Sequence, residues 1–323
     1  MITHARHLTG PTATPFRFSI CTLVTRPAEY AEMMASFVQQ GFTPADCEYL
    51  YVQNTDGNQF DGYSGYNLFL QEARGEFIIL CHQDILLRFD GRKVLEQRLA
   101  ELTAAHPYWA VAGNAGAKWS WGAPMTALRI SDDAGEHDTG HFPICVEALD
   151  ENFMVVQRAA NLCLSHDLAG FHFYATDLCR IANILGRTAW VIDFHLFHKS
   201  RGNLNEQFYE VRDQLIRKYG RALRGGALQT VCTRVYLSSH AFTRWGFNLG
   251  ARATLFQRAY SLQKQSREPG RAEFAVAARD CRARLGEVWY AWFWLRHKIN
   301  RPFENLRRWF GKKRQRAAAN ACR

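Results

Sequence analysis

Gly75-Glu-Phe-Ile-Ile-Leu-Cys-His-Gln-Asp84 sets five apolar residues, Phe77 to Cys81, between a Gly-Glu pair and the polar triplet His82-Gln83-Asp84. A run this short and this apolar, bounded by polar residues, predicts a strand buried on both faces. Upstream lie a helical stretch from Tyr66 to about Ala73, a polar, glycine-rich loop from Gln53 to Gly65, and a second strand, Glu48-Tyr-Leu-Tyr-Val52. Earlier still, Phe18 to Val24 reads as a first strand, and Pro27 opens a helix through Val38 that Gly41 stops. Downstream, a helix over 94–105 precedes strands at Trp109–Ala112 and Phe153–Val156, a helix at about 175–185 and a strand at Ala189–Ile192. Residues 115–145 read as loop with short strands, and 204–222 as helix.

Strands alternating with helices predict an α/β protein, a mostly parallel sheet flanked by helices. Ligands of such sheets sit beyond the carboxyl ends of the strands. Val24-Thr25-Arg26, Val52-Gln53-Asn54 and His82-Gln83-Asp84 should therefore line one crevice. An acid delivered there by a strand can hold Mg2+ or Mn2+ on a nucleotide, or it can cap the next segment.

Taken together, Asn67-Leu-Phe-Leu-Gln-Glu-Ala73-Arg-Gly75 and the strand ending in His82-Gln-Asp84 resemble the pattern of GT-A (Rossmann-like) glycosyltransferases of the family-2 type. The match is to an asparagine, an alanine, a glycine-acid pair and an apolar strand ending in Asp-x-Asp. It is nearest to bacterial glycosyltransferase-like proteins that carry His-Gln-Asp instead. The resemblance spans roughly residues 17–202. It implies a nucleotide-sugar donor, UDP-linked, and a divalent cation, Mn2+ or Mg2+, on Asp84. It also implies that Thr25, Arg26, Asn54, Asn67, His82 and Gln83 lie about the donor. Two departures stand out: His82 replaces the first Asp of the motif, and Gln53-Asn54 replace the acid usual after the second strand. Histidine can ligate Mn2+, and Asn54 can hydrogen-bond a uracil edge.

Further along, Gly170-Phe-His172-Phe-Tyr174-Ala-Thr-Asp177 matches the place where the family opens a helix with its general base. The resemblance makes Asp177 that base, in an inverting transfer, with Gly170, Phe171, His172 and Tyr174 as the acceptor wall. Read from the residues alone, Asp177 is a helix N-cap and the aromatics are core. In His195-Leu-Phe-His198-Lys-Ser200-Arg-Gly202, the resemblance assigns His198 to the metal and leaves His195 structural. Lys199 and Arg201 are either diphosphate contacts or solvated cations. The pair His195-x-x-His198 lacks the helical spacing of zinc hydrolases.

The chain has 323 residues with 47% hydrophobic content and nine cysteines without a Cys-x-x-Cys pair, which suits reduced, packed thiols. No apolar run approaches the ~20 residues of a membrane span, and the N-terminus lacks a secretory layout. The net charge of +10 is concentrated at the end: from Arg296 onward ten Lys and Arg face only Glu304. Beside this basic run lies Val288-Trp-Tyr-Ala-Trp-Phe-Trp-Leu295, suited to an anionic membrane surface or to packing on its own domain. Nucleic acid fits less well, because the remainder of the chain is nearly neutral.

The expected organisation is a lead-in over 1–15, a catalytic domain over 16–222, an arginine-rich helical region over 223–285 and an anchoring tail over 286–323. The expected protein is cytoplasmic, peripheral to the inner face of the membrane, acting on a hydroxyl of a surface glycan or lipid-linked oligosaccharide. Two rivals stand beside this reading. A nucleotidyltransferase would need a glycine-rich triphosphate loop where the chain has Val24-Thr-Arg-Pro27. A catalytically inactive scaffold at the membrane would keep the fold and lose turnover.

Overall fold

The computed structural model describes residues 14–120, 123–200, 206–223, 226–229, 234–237, 249–268, 271 and 273–298. They fall into two compact units, Met1–Lys218 and Tyr219–Arg323.

The first unit begins β1 (Phe16–Val24), α1 (Pro27–Gln39), β2 (Cys47–Gln53), α2 (Gly62–Glu72) and β3 (Gly75–Cys81). Next come β4 (Ile85–Leu86), α3 (Arg92–Ala105), β5 (Trp109–Gly113), β6 (Ala115–Ser120), β7 (Ala123–Asp132) and β8 (Gly135–Thr139). The unit continues through β9 (Ile144–Val146), β10 (Ala148–Leu149), β11 (Phe153–Gln157), α4 (Tyr174–Ile184), β12 (Thr188–Val191) and β13 (Leu196–His198), and α5 (Glu206–Ala222) starts within it.

Seven strands form the main sheet in the order β2-β1-β3-β11-β5-β12-β9. It is mostly parallel: β2, β1, β3, β5 and β12 run one way, while β11 is antiparallel to both of its neighbours and β9 to β12. Period-two alternation divides β3 between two cores. Phe77, Ile79 and Cys81 pack with Met33 and Phe37 of α1 and Leu95 and Leu99 of α3. Ile78 and Leu80 pack with Tyr66 and Phe69 of α2 and Leu178 of α4. Each such fully buried aliphatic side chain stabilises the sheet by about 1.5–3 kcal/mol.

α2 starts four residues earlier than the apolar pattern suggests. Asp61 accepts from Ser64 N (2.8 Å) while Ser64 Oγ accepts from Asp61 N (3.1 Å), a reciprocal cap that recruits Gly62 and Tyr63 into the helix. The stretch 115–145, expected as loop with short strands, builds most of a second sheet, β10-β6-β7-β13-β4, with β8 paired to β7 and strands as long as the ten residues of β7. Glycine and aspartate in its hairpin turns obscure the alternation that marks those strands.

The second unit contains helices Leu249–Gln265 and Phe274–Leu285 and a helical run over 287–298. It also has a hairpin of Gly226–Gln229 with Arg234–Leu237, where helix was expected. Tyr290 and Phe293 are buried with Phe256 and Leu285. Tyr290 and Phe293 of the aromatic stretch thus join this unit's core, while Val288, Trp292, Trp294 and Leu295 are exposed. The division between the two units lies at 218/219, inside α5. The basic residues from Arg301 onward, and most of the 1–15 lead-in, lie outside the described residues. The described cysteines are free thiols.

Candidate metal centre and crevice

β3 hands the chain directly to His82, Gln83 and Asp84, and β4 follows at once. β4 pairs with β13 in the register His198↔Ile85, which sets His198 beside Asp84 although the two are far apart in sequence. Lys199 N extends that ladder by donating to Asp84 O at 3.1 Å. The result is a cluster in which ligand atoms of His82, Asp84 and His198 all lie within 4.8 Å of one another. His198 Nε2 is 3.3 Å, and His82 Nδ1 4.0 Å, from Asp84 Oδ1.

Asp84 and His198 are buried and His82 is half-exposed, so the cluster opens on one side. Burial pushes the Asp84 carboxyl up, but the His198 hydrogen bond, the two imidazoles and the Ser200 hydroxyl together hold it well below the usual carboxylate range. Burial, reinforced by His198, pushes His82 down against the pull of Asp84 and Asp150, which keeps the ring in the neutral form that ligates. The Tyr174 hydroxyl meets His82 Nε2 at 2.9 Å and leaves Nδ1 facing Asp84. Metal-binding histidines are usually oriented this way, through the other ring nitrogen. Two imidazoles and one carboxylate suit a divalent first-row transition ion.

Gln83 ties the first strand end to the same crevice. Its Oε1 accepts from Thr25 N (2.9 Å) and Arg26 N (2.8 Å), and its Nε2 donates to Thr25 Oγ1 (2.7 Å). Thr25, Arg26, His82, Gln83, Asp84, Tyr174 and His198 are thus linked around one crevice. Phe171 and His172 are partly exposed, and His172 meets Phe208 edge-on. Gly170 is buried; its N donates to Asp61 Oδ2 (2.6 Å) and its O accepts from Gly62 N (2.9 Å). His195 stands apart from the cluster, stacked on Phe89 and joined to Ser131.

Three expected site residues are occupied elsewhere. Asn54 lies at the strand end, but its amide donates to Phe60 O (2.8 Å) and accepts from Phe60 N (3.3 Å), closing its own loop rather than facing a base. Asn67 is buried and brackets Leu164 through both N–H and C=O. Asp177 is 0% exposed and accepts from Ser165 N and Ser165 Oγ, both at 2.8 Å. Asp177 thus braces the loop at 165, and it is not the cap of α4, since the N-cap is Phe173.

Glu151 carries no sequence signal beyond being an acid in a polar loop. It lines a groove of about 280 Å³ with Asp150, His172, Phe173, Thr176 and Phe208. His82 N donates to Asn152 O at 3.0 Å, which sets this loop against the metal cluster. Burial, then the charge of Asp150, push the Glu151 carboxyl up to about 8, against the pull of the Phe173 backbone N–H.

The fold and this centre define a mixed α/β protein with a His-Asp-His cluster at the ligand end of its sheet. No family model matches the chain. It is 39% identical over 224 residues to the protein called ATP synthase subunits region ORF 6 of Fuscovulum blasticum, covering 68% of this chain and 90% of that protein. The chain belongs to the family of that protein. Among solved structures, it is similar to the mannosyltransferase PcManGT from Pyrobaculum calidifontis in complex with GDP-Man and Mn2+ (12% identity, 89% of this chain, 87% of that one, TM-score 0.43). A second is S. aureus TarS 1-349, at 11% identity over 75% of this chain and 80% of that one, with a TM-score of 0.40. Likeness at these scores is partial.

Proposed function

We propose that this chain is a metal-dependent glycosyltransferase that moves a sugar from a nucleoside diphosphate, UDP being the first candidate, to a hydroxyl. The observation that carries the reading is the convergence of His82, Asp84 and His198 at the strand ends, beside the crevice tied together by Thr25, Arg26 and Gln83. The Asp-x-Asp-like motif supports it from the sequence side. Two imidazoles favour Mn2+ over Mg2+, which prefers an all-oxygen shell. A cation held there supplies neutralising charge for a departing diphosphate.

The remaining roles fall to this chain's own side chains. Arg26, paired with Glu29 at 2.7 Å, and Lys199, paired with Glu32, flank the crevice as cations that phosphate oxygens would draw from these carboxylates. Tyr174 orients His82. Glu151, in its groove one residue from the Asn152 carbonyl that holds the His82 loop, takes the proton from the acceptor hydroxyl as that oxygen attacks the anomeric carbon with inversion. Asp177, which the family resemblance made the base, is a positioning residue that holds the 165 loop under α4. The acceptor is a surface glycan or lipid-linked oligosaccharide at the inner face of the membrane.

The test is release of nucleoside diphosphate from a panel of sugar nucleotides with Mn2+, Mg2+ or EDTA, with Asp84→Asn as control. Metal-dependent release from one donor, lost in the variant, is expected. A folded protein that binds none of the donors in the presence of Mn2+ would move the reading to a non-catalytic scaffold.

A further inference from the structure

The second unit offers a surface that the proposed transfer does not use. The helical run 287–298 buries one side: Tyr290 and Phe293 lie 5.3 and 5.8 Å, centroid to centroid, from Phe256. The opposite side is apolar as well. Val288 is 82% exposed, Trp292 44% and Leu295 54%, and their spacing of four and then three residues aligns them on one helix face. Isolated exposed apolar residues are ordinary, but an aligned apolar stripe that includes a tryptophan marks an interaction site.

What covers this stripe is indicated by the charge around it. Arg296 lies 5.5 Å over the Trp292 ring, and Lys298 Nζ lies 5.2 Å over Trp294. From Arg296 onward the sequence holds ten Lys and Arg against one acid. No described helix is long and apolar enough to cross a membrane. An apolar face carrying an indole ring, flanked by cations, matches a helix lying in the headgroup boundary of an anionic bilayer. We infer that the 287–298 helix docks the chain on an anionic membrane surface, with Val288, Trp292 and Leu295 inserted and Arg296 and Lys298 at the headgroups. This goes beyond the proposed transfer and does not depend on it.

The test is flotation of the full chain with vesicles of phosphatidylcholine alone and of equimolar phosphatidylcholine and phosphatidylglycerol. Binding is expected only to the second, weakened by high salt. The triple variant Val288→Ser, Trp292→Ser, Leu295→Ser should lower the partition coefficient at least about tenfold. Val288→Ser alone, at a position too exposed to disturb the core, should give a smaller loss in the same direction. The inference is overturned if the chain stays unbound, if the variants bind as well as wild type, or if the stripe mediates self-association in the absence of lipid. Preferential binding to duplex DNA over anionic vesicles would overturn it equally.

Discussion

Tyr174 reaches across the crevice to His82, phenol oxygen to Nε2 at 2.9 Å, so the first residue of α4 aims a member of the metal cluster. Tyr174→Phe keeps the ring, which lies 4.8 Å from that of Tyr66, and removes only the hydroxyl. Loss of such an orienting partner typically costs about 10–100-fold in metal affinity. Titration calorimetry with Mn2+ should show that loss. Stability should fall by only about 1 kcal/mol.

Gly62 should act on the same contact from outside the cluster. A Cβ added there would lie 2.7 Å from Tyr174 Cδ1 and 2.9 Å from Gly170 O. Because the second neighbour is backbone, the ring must yield. Gly62→Ala should therefore destabilise by about 1–3 kcal/mol and weaken Mn2+ binding together, seen as a lower Tm and a raised Kd. Unchanged Mn2+ affinity in a folded variant would show that Tyr174 does not aim His82.

Metal removal gives a third check. A ligand bound only to the folded state stabilises by about 2.7 kcal/mol at a hundred times its Kd. Saturating Mn2+ should raise Tm, EDTA should reverse the rise, and Asp84→Asn should abolish it. A variant that still responds to Mn2+ would place the ion elsewhere.

Asp177 and Glu151 should separate cleanly. Asp177→Ala removes both acceptors from Ser165, at a cost of about 3 kcal/mol in urea unfolding, with Mn2+ affinity retained. Glu151→Gln should leave the fold and metal binding intact and lower turnover by about 10²–10⁴-fold.

The pH dependence of Glu151 has a definite sign. Its carboxyl is raised to about 8 in the folded chain, against about 4.3 in an unfolded one. The folded state holds this proton more tightly, so its stabilising effect is complete below about pH 4 and is lost as pH rises towards 8. Denaturant melts at several pH values should show that decline in wild type and a flatter curve in Glu151→Gln, while turnover rises over the same window.

Apart from β4 and the first turn of α2, the strands and helices before residue 112 were legible because each apolar run is short, differently spaced and punctuated by Pro27, Gly41 or Gly75. Asp84 and His198 were legible as metal candidates because a strand tip and a His-Lys-Ser turn are local patterns. Tyr174 as the partner of His82 was not legible, since ninety-two positions separate them and only the packing of α4 on α2 brings them together. The partners of Asn54, Asn67 and Asp177 were not legible for one reason. A polar residue near a strand end or helix start looks the same whether it awaits a ligand or braces a loop, and only its partners decide. Phe60, Leu164 and Ser165 are those partners here. Glu151 was not legible either, since its perturbation comes from burial and Asp150, neither of which is a sequence pattern.

β11 is the one interior strand of the main sheet that runs against its neighbours. Its reversal means that the chain enters β11 at the end where β3 finishes, which is why Asn152 meets His82. The β6, β7 and β8 strands are therefore spliced in at the working end of the sheet, like a tool head on a fixed handle. The head is not separate from the grip: β7 pairs with β13, which carries His198. Substitutions in the turns of β6, β7 and β8 that spare the β7–β13 pairing should accordingly change acceptor preference while Mn2+ affinity, read by calorimetry, is retained.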